Sequence, residues 1–112
     1  MTIEQVIEKQ MQAFDNRDIE SMMTVFNNDI KIINFSDNKI LIDGFEECRE
    51  MYSVLFKNSP KLYAEIINTI IFENKVIVHE FIFGRNGSDK KMEQVIIFEV
   101  ENEKISKISI IR

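Results

Sequence analysis

The sequence predicts an α+β fold in which three N-terminal helices pack over one face of a curved antiparallel sheet. Three observations carry that prediction. Apolar residues recur at helical spacing in the first half, long β-rich runs fill the chain from Leu62 onward, and turns of two or three residues join those runs. Helices first and a meander of strands afterwards is the pattern of an antiparallel sheet with its helices segregated on one face.

At 112 residues and 13.2 kDa the chain supports one hydrophobic core, so residues 1–112 are expected to form a single domain. Ile3, Val6, Ile7, Met11 and Phe14 define the inner stripe of a first helix. Thr2, followed three positions later by Gln5, forms a capping box at its start. Asp18 caps a short second helix carrying Met22, Met23, Val25 and Phe26, which is expected to end near Asn27 and Asn28.

Asp29 to Phe35 reads as a strand, Ser36-Asp37-Asn38 as a turn, and Lys39 to Ile42 as the return strand of a hairpin. Asp43 and Glu46 then open a third helix with Cys48, Met51, Tyr52, Leu55 and Phe56 along its inner stripe, and Asn58-Ser59-Pro60 stops it. Four strands follow at Leu62 to Phe72, Val76 to Arg85, Met92 to Glu101 and Ile105 to Arg112. Their short connections imply antiparallel neighbours. These strands are apolar on both sides: Val76, Val78 and Ile82 alternate with Ile77, Phe81 and Phe83. One side can meet the helices; the other leaves enough apolar surface to predict a homodimer through the outer face of the sheet.

A net charge of -5 and a pI near 4.9 argue against partners that are nucleic acids or anionic membranes, and the densest basic cluster is only Lys90 and Lys91. The single cysteine, Cys48, cannot close an intramolecular disulfide, so a reducing, cytoplasmic setting is expected. The opening MTIEQVIEKQMQAF lacks the basic start and unbroken apolar run of a signal peptide, and no stretch reaches the roughly 18 apolar residues of a membrane span. Neither a phosphate-cradling glycine loop nor a cluster with metal-ligand spacing is present, so no metal and no cofactor is expected.

Function is sought in polar residues that interrupt apolar patterns. Gln10 falls on the inner stripe of the first helix, where its amide either bonds at the stripe's edge or points into a cavity. Asn34 continues the face of Ile30 and Ile32, as a turn former or a pocket residue. Tyr52 places a ring in the core and leaves a hydroxyl in need of a partner. His79 and Glu80 are adjacent in a strand and must face opposite ways, so only one enters a pocket. Either would bring proton-transfer chemistry there: Glu80 through a pKa raised by apolar surroundings, His79 through its near-neutral titration. Gln94 and Arg112 are further candidates of this kind. Cys48 and the six methionines read as packing, the latter also as the lining of an adaptable apolar pocket.

Three stretches carry a family resemblance: AFDNRDIESMMTVFNNDIKI at 13–32, DGFEECREMY at 43–52 and FEVENEKISKISIIR at 98–112. In order and spacing they resemble the SnoaL-like, ketosteroid-isomerase-like branch of the nuclear-transport-factor-2-like superfamily. The resemblance implies a cystatin-like cone with a deep pocket between the first helix, the third helix and the concave sheet, and usually a dimer. Ketosteroid isomerases use a tyrosine on the first helix, an aspartate base near the end of the first strand and a protonated aspartate on a later strand. By that likeness these positions fall at Gln10, Asn34 and about Ile96, while Tyr52 matches a tyrosine that supports the oxyanion hole. An amide at Asn34 cannot abstract a proton.

The expected function is therefore a pocket for a small apolar ligand with a carbonyl or hydroxyl. Phe14 and Phe56 complete its expected lining beside Gln10, Asn34, Tyr52, Glu80, Gln94, Ile96 and Arg112. Two alternatives remain open: a cofactor-free isomerase, cyclase or dehydratase using Glu80, His79 or Tyr52, and a noncatalytic dimerisation module.

Overall fold

A computed structural model describes residues 1–112 as three helices and a six-stranded sheet. Helix α1 spans Ile3–Asp15, and its start is closed reciprocally: Gln5 N–H donates to Thr2 Oγ1 at 3.1 Å while Thr2 N–H donates to Gln5 Oε1 at 2.8 Å. Val6, Ile7, Gln10 and Ala13 form its buried face. Helix α2, Ile19–Met23, is capped by Asp18, whose carboxylate accepts from Ser21 N–H.

Helix α2 ends four residues earlier than the sequence suggests, and strand β1 begins at Phe26 (Phe26–Asn34) rather than at Asp29. The reason is packing: Phe26, 1% exposed, enters the core from an extended backbone and stacks on Tyr52 at 5.8 Å. Strand β2, Lys39–Asp43, also claims Asp43, which pairs with Lys31 across the hairpin. The cap of helix α3, Phe45–Asn58, consequently falls to Gly44, with no side-chain capping bond.

The remaining strands are β3 (Tyr63–Phe72), β4 (Lys75–Phe83), β5 (Met92–Glu101) and β6 (Lys104–Ile111). The sheet order is β2-β1-β6-β5-β4-β3. Every neighbour runs antiparallel except β1 and β6, which run parallel with Ile32 beside Ile108 and Asn34 beside Ile110. Short turns dictate antiparallel pairing only between strands adjacent in the chain. These two come from opposite ends of it, so no turn constrained their direction.

β4 stops at Phe83 because Gly84 turns the chain at φ +75°, and Arg85 starts a short 3-10 turn, Arg85–Gly87, instead of extending the strand. One face of the sheet packs against the helices through Val76, Val78, Ile96, Phe98 and Ile108, joined by Met22, Ile30 and Leu62. The opposite face carries Ile77, Phe81, Phe83, Val95 and Ile97, all partly exposed. At the free edge, β3 exposes Ile66, Ile67, Ile70, Ile71 and Phe72, each at least 40% accessible. No helix is long and apolar enough to cross a membrane.

Candidate functional site

The concave side of the sheet does not close on the helices. Between α1, α3 and strands β4 to β6 lies a cavity of ≈ 210 Å³. Sixteen of its 21 lining residues are hydrophobic, so the other five, Gln10, Glu80, Arg85, Gln94 and Arg112, together with the phenol of Tyr52, supply all its polarity. An apolar hollow with a few convergent polar groups is the usual form of a small-molecule site.

Gln10 enters from α1. It is 5% exposed and no side chain or backbone group hydrogen-bonds its amide, yet no buried polar atom of the protein is left sealed without a partner. The amide therefore reaches the cavity and is free to bond what occupies it. Tyr52 enters from α3 in the same condition: 8% exposed, its ring held by Phe26 and Phe56, its hydroxyl without a protein partner. Burial first, then the nearby Cys48 and Glu80, hold its phenol well above the ordinary tyrosine range. It is a neutral O–H donor at any working pH.

The placement of β4 in the sheet settles the choice between His79 and Glu80. The even positions of β4 turn inward, so Glu80 lines the cavity at 7% exposure, while His79 faces out and pairs with Glu93 at 2.6 Å. Glu80 Oε2 accepts from Gln94 Nε2 at 2.7 Å, and Gln94 Oε1 accepts from Arg112 Nε at 3.0 Å. This chain runs from β4 across β5 to Arg112, the residue just past the end of β6. Burial pushes the Glu80 carboxyl up; the Gln94 hydrogen bond and the Arg112 charge oppose the rise without cancelling it, and Asp15 adds to it.

Of the residues expected from sequence, Gln10, Phe14, Tyr52, Glu80, Gln94, Ile96 and Arg112 meet at the cavity, and three do not. His79 lies behind the sheet. Asn34 is spent in the β1–β2 turn, where its Nδ2 donates to Asp37 Oδ1 at 3.0 Å. Phe56 is buried behind the wall, edge-on to Phe14 at 6.1 Å and tilted against Tyr52. The sequence reading missed Arg85 because it counted that residue into the strand; the signal was Gly84, a left-handed turn position that ends β4 at Phe83, two residues earlier. It also reads the methionines first as core packing and only second as pocket lining, whereas Met11, Met51 and Met92 all line the cavity.

Cys48 is fully buried and its thiol is pushed up to about 12 by burial, so it is an inert packing group. No group of three or more His, Cys, Asp or Glu side chains is arranged to hold a metal ion.

With this geometry, the SnoaL-like domain model matches residues 7–108. No curated protein matches the chain in sequence. Among solved structures, a cystatin-fold protein from Novosphingobium aromaticivorans superposes with TM-score 0.90 at 19% identity, covering 100% of this chain and 99% of that one. A protein of ketosteroid-isomerase-like fold from Catenulispora acidiphila, crystallised with trimethylamine, gives 0.77 at 11% identity over 99% and 87%. TerC, co-crystallised with polyporic acid, gives 0.79 at 14% identity over 97% and 89%. One of these was crystallised with an amine and the other with an acid; identities this low carry the fold and not the ligand.

Proposed function

The chain belongs to the SnoaL-like domain family, and from that premise we propose that its cavity binds a small apolar molecule bearing a carbonyl or hydroxyl group. The observation that supports this reading is the pair of buried, unpartnered donors, Gln10 and Tyr52, in an otherwise apolar hollow. Without an occupant both groups forgo hydrogen bonds, which costs on the order of 1 kcal/mol each unless water enters. A ligand oxygen supplies the missing acceptor. A cavity of ~150 Å³ holds benzene, so a cavity of ≈ 210 Å³ suits a one- or two-ring body.

The test is a ligand-induced thermal shift with 2-naphthol and 2-acetylnaphthalene against naphthalene. The oxygen-bearing probes raise the melting temperature of the wild type more than naphthalene does, and the difference shrinks in Tyr52→Phe and Gln10→Leu. Equal shifts for all three probes in all three proteins contradict the reading.

A catalytic version rests on Glu80. Its carboxyl is held above its ordinary pKa by burial, closer to neutral pH where a proton is most readily exchanged. In an isomerisation the carboxylate takes a proton from the carbon beside a carbonyl and the electron pair moves onto the carbonyl oxygen. Tyr52 and Gln10 donate hydrogen bonds to that oxygen, and Glu80 returns the proton to a second carbon. No cofactor enters this balance. Glu80→Gln removes turnover and keeps binding under this version; a noncatalytic binder or dimerisation module is indifferent to the change.

For assembly, a second copy of the chain is the proposed occupant of the outer face. Tyr63 stacks on Phe83 at 4.7 Å there, and Phe81, Ile77, Val95 and Ile97 continue the apolar surface from the exposed edge strand. Sedimentation of the wild type at dimer mass, and of Ile97→Lys at monomer mass, is the expected outcome. A cytoplasmic setting is part of the same proposal, and the lone Cys48, a buried free thiol, fits it.

A further inference from the structure

The chain has four arginines, and their partners differ by location. Arg49 pairs with Glu20, and Arg17 donates to the carbonyls of Asp15 and Leu62. Arg85 and Arg112, the two that line the cavity, pair with no carboxylate. Arg112 uses only its Nε, on Gln94, and the one side-chain hydrogen bond of Arg85 is Nη1 to the sulfur of Met92 at 3.9 Å. A protein of net charge -5 has ample acid to neutralise both, yet leaves two guanidinium groups facing one apolar hollow.

The position of Arg85 is built rather than incidental. Gly84 adopts φ +75°, and a Cβ there would lie 2.5 Å from the carbonyl oxygen of Lys61. On the other side of Arg85, Asn86 N–H donates to Ser59 Oγ at 2.8 Å, and Ser59 is 0% exposed. The turn is thereby clamped to the end of α3 on both sides of the arginine. The two cations also oppose each other: partial burial of the Arg112 guanidinium, on a residue otherwise open to solvent, and the Arg85 charge lower its pKa, while Tyr52 and Glu80 raise it. Like charges brought to one site cost free energy that an anion between them recovers. The one cavity carboxylate, Glu80, makes no direct ion pair with Arg112: the Gln94 amide lies between them, their charges act on each other only across it, and the burial of Glu80 opposes its ionisation.

We propose that the cavity's ligand is an anion, an apolar ring body bearing a carboxylate or an acidic enol, whose charged oxygens sit between Arg85 and Arg112. This rests on the small-molecule reading above and narrows it. Arginine forks match the planar oxygens of a carboxylate or a delocalised enolate, and the apolar wall accepts the rest.

The test compares naphthalene-2-carboxylate with naphthalene-2-carboxamide, equal in shape and different in charge, by calorimetry at neutral pH. The wild type binds the carboxylate about tenfold or more tightly than the amide, and added NaCl weakens only the carboxylate. Arg85→Gln and Arg112→Gln each weaken the carboxylate far more than the amide and so remove most of that preference, and Arg85→Lys keeps part of it. Melting curves of the free variants confirm that they fold. Equal affinities, tighter amide binding, or a preference unchanged in both glutamine variants overturns the anionic assignment while leaving the apolar pocket intact. Binding of neither probe overturns the assignment and the pocket reading together.

Discussion

Glu80 and Gln94 occupy paired positions on adjacent antiparallel strands, and the Gln94 amide donates to the Glu80 carboxylate at 2.7 Å within a largely apolar wall. The pair fixes both the orientation of the acid and the energetic cost of its ionisation. The amide favours the charged form, and burial, the larger influence, disfavours it.

That balance predicts a pH signature. The folded-state pKa of Glu80 is raised above its unfolded value, so the group's contribution to stability is fully present below the ordinary glutamate pKa of about 4.3 and is lost as pH rises through the folded pKa. Glu80→Gln has no charge to bury and can still accept from Gln94. The melting temperature of Glu80→Gln minus that of the wild type should therefore increase from acid to neutral pH and then level off. A constant difference across that range would show that Glu80 is not buried as described.

Tyr52 separates a packing role from a contact role. Its ring stacks on Phe26 at 5.8 Å and 18°, whereas its hydroxyl bonds nothing in the protein. Tyr52→Phe is expected to change unfolding free energy by less than about 0.5 kcal/mol and to weaken an oxygen-bearing ligand by about three- to tenfold. Phe26→Ala, which hollows the core, is expected to cost about 3 to 5 kcal/mol. Urea unfolding and calorimetric titration of both variants check the contrast.

Gly84→Ala tests the clamp under Arg85. Alanine meets both an unfavourable positive φ and the Lys61 carbonyl oxygen at 2.5 Å, so the variant should lose about 2 kcal/mol or more. The measurement is the urea midpoint. A midpoint unchanged from wild type would mean that the turn relaxes freely.

His79→Ala should leave ligand binding unchanged, because the imidazole lies on the far face of the sheet with Glu93. Both partners are substantially solvent-exposed, and the loss of such a pair costs about 0 to 1 kcal/mol. A ligand affinity altered more than twofold would place His79 in the site after all.

Much of this architecture was legible in the residues themselves. The stripe of Val6, Ile7 and Phe14, the Thr2–Gln5 capping box and the alternation of Val76, Val78 and Ile82 all report local geometry, which period and chemistry encode directly. The boundary at Phe26 was not legible, because a Met-Met-x-Val-Phe run suits a helix as well as a buried strand, and only the stacking on Tyr52 decides. The parallel β1–β6 pair was hidden for the same reason: it joins residues some 76 positions apart, Ile32 and Ile108, with no turn between them.

At the site, Gln10 and Tyr52 announced themselves as polar groups on apolar stripes. Asn34 did the same and proved to be a turn residue, since its pattern is identical until Asp37 is seen to hold it. His79 and Glu80 were a two-way choice that alternation posed and only the sheet's register could answer. Arg85 carried only the signal of the glycine before it, because its role depends on a turn held by Ser59 and Lys61 from a distant segment.

The central claim is tested most directly by the side-chain amide resonances of the protein during titration with 2-naphthol. Assigned Gln10 and Gln94 side-chain signals should move together and saturate, while backbone signals of His79 and Glu93 stay in place. Movement confined to His79, Glu93 and the outer face, with Gln10 and Gln94 unmoved, would contradict the account.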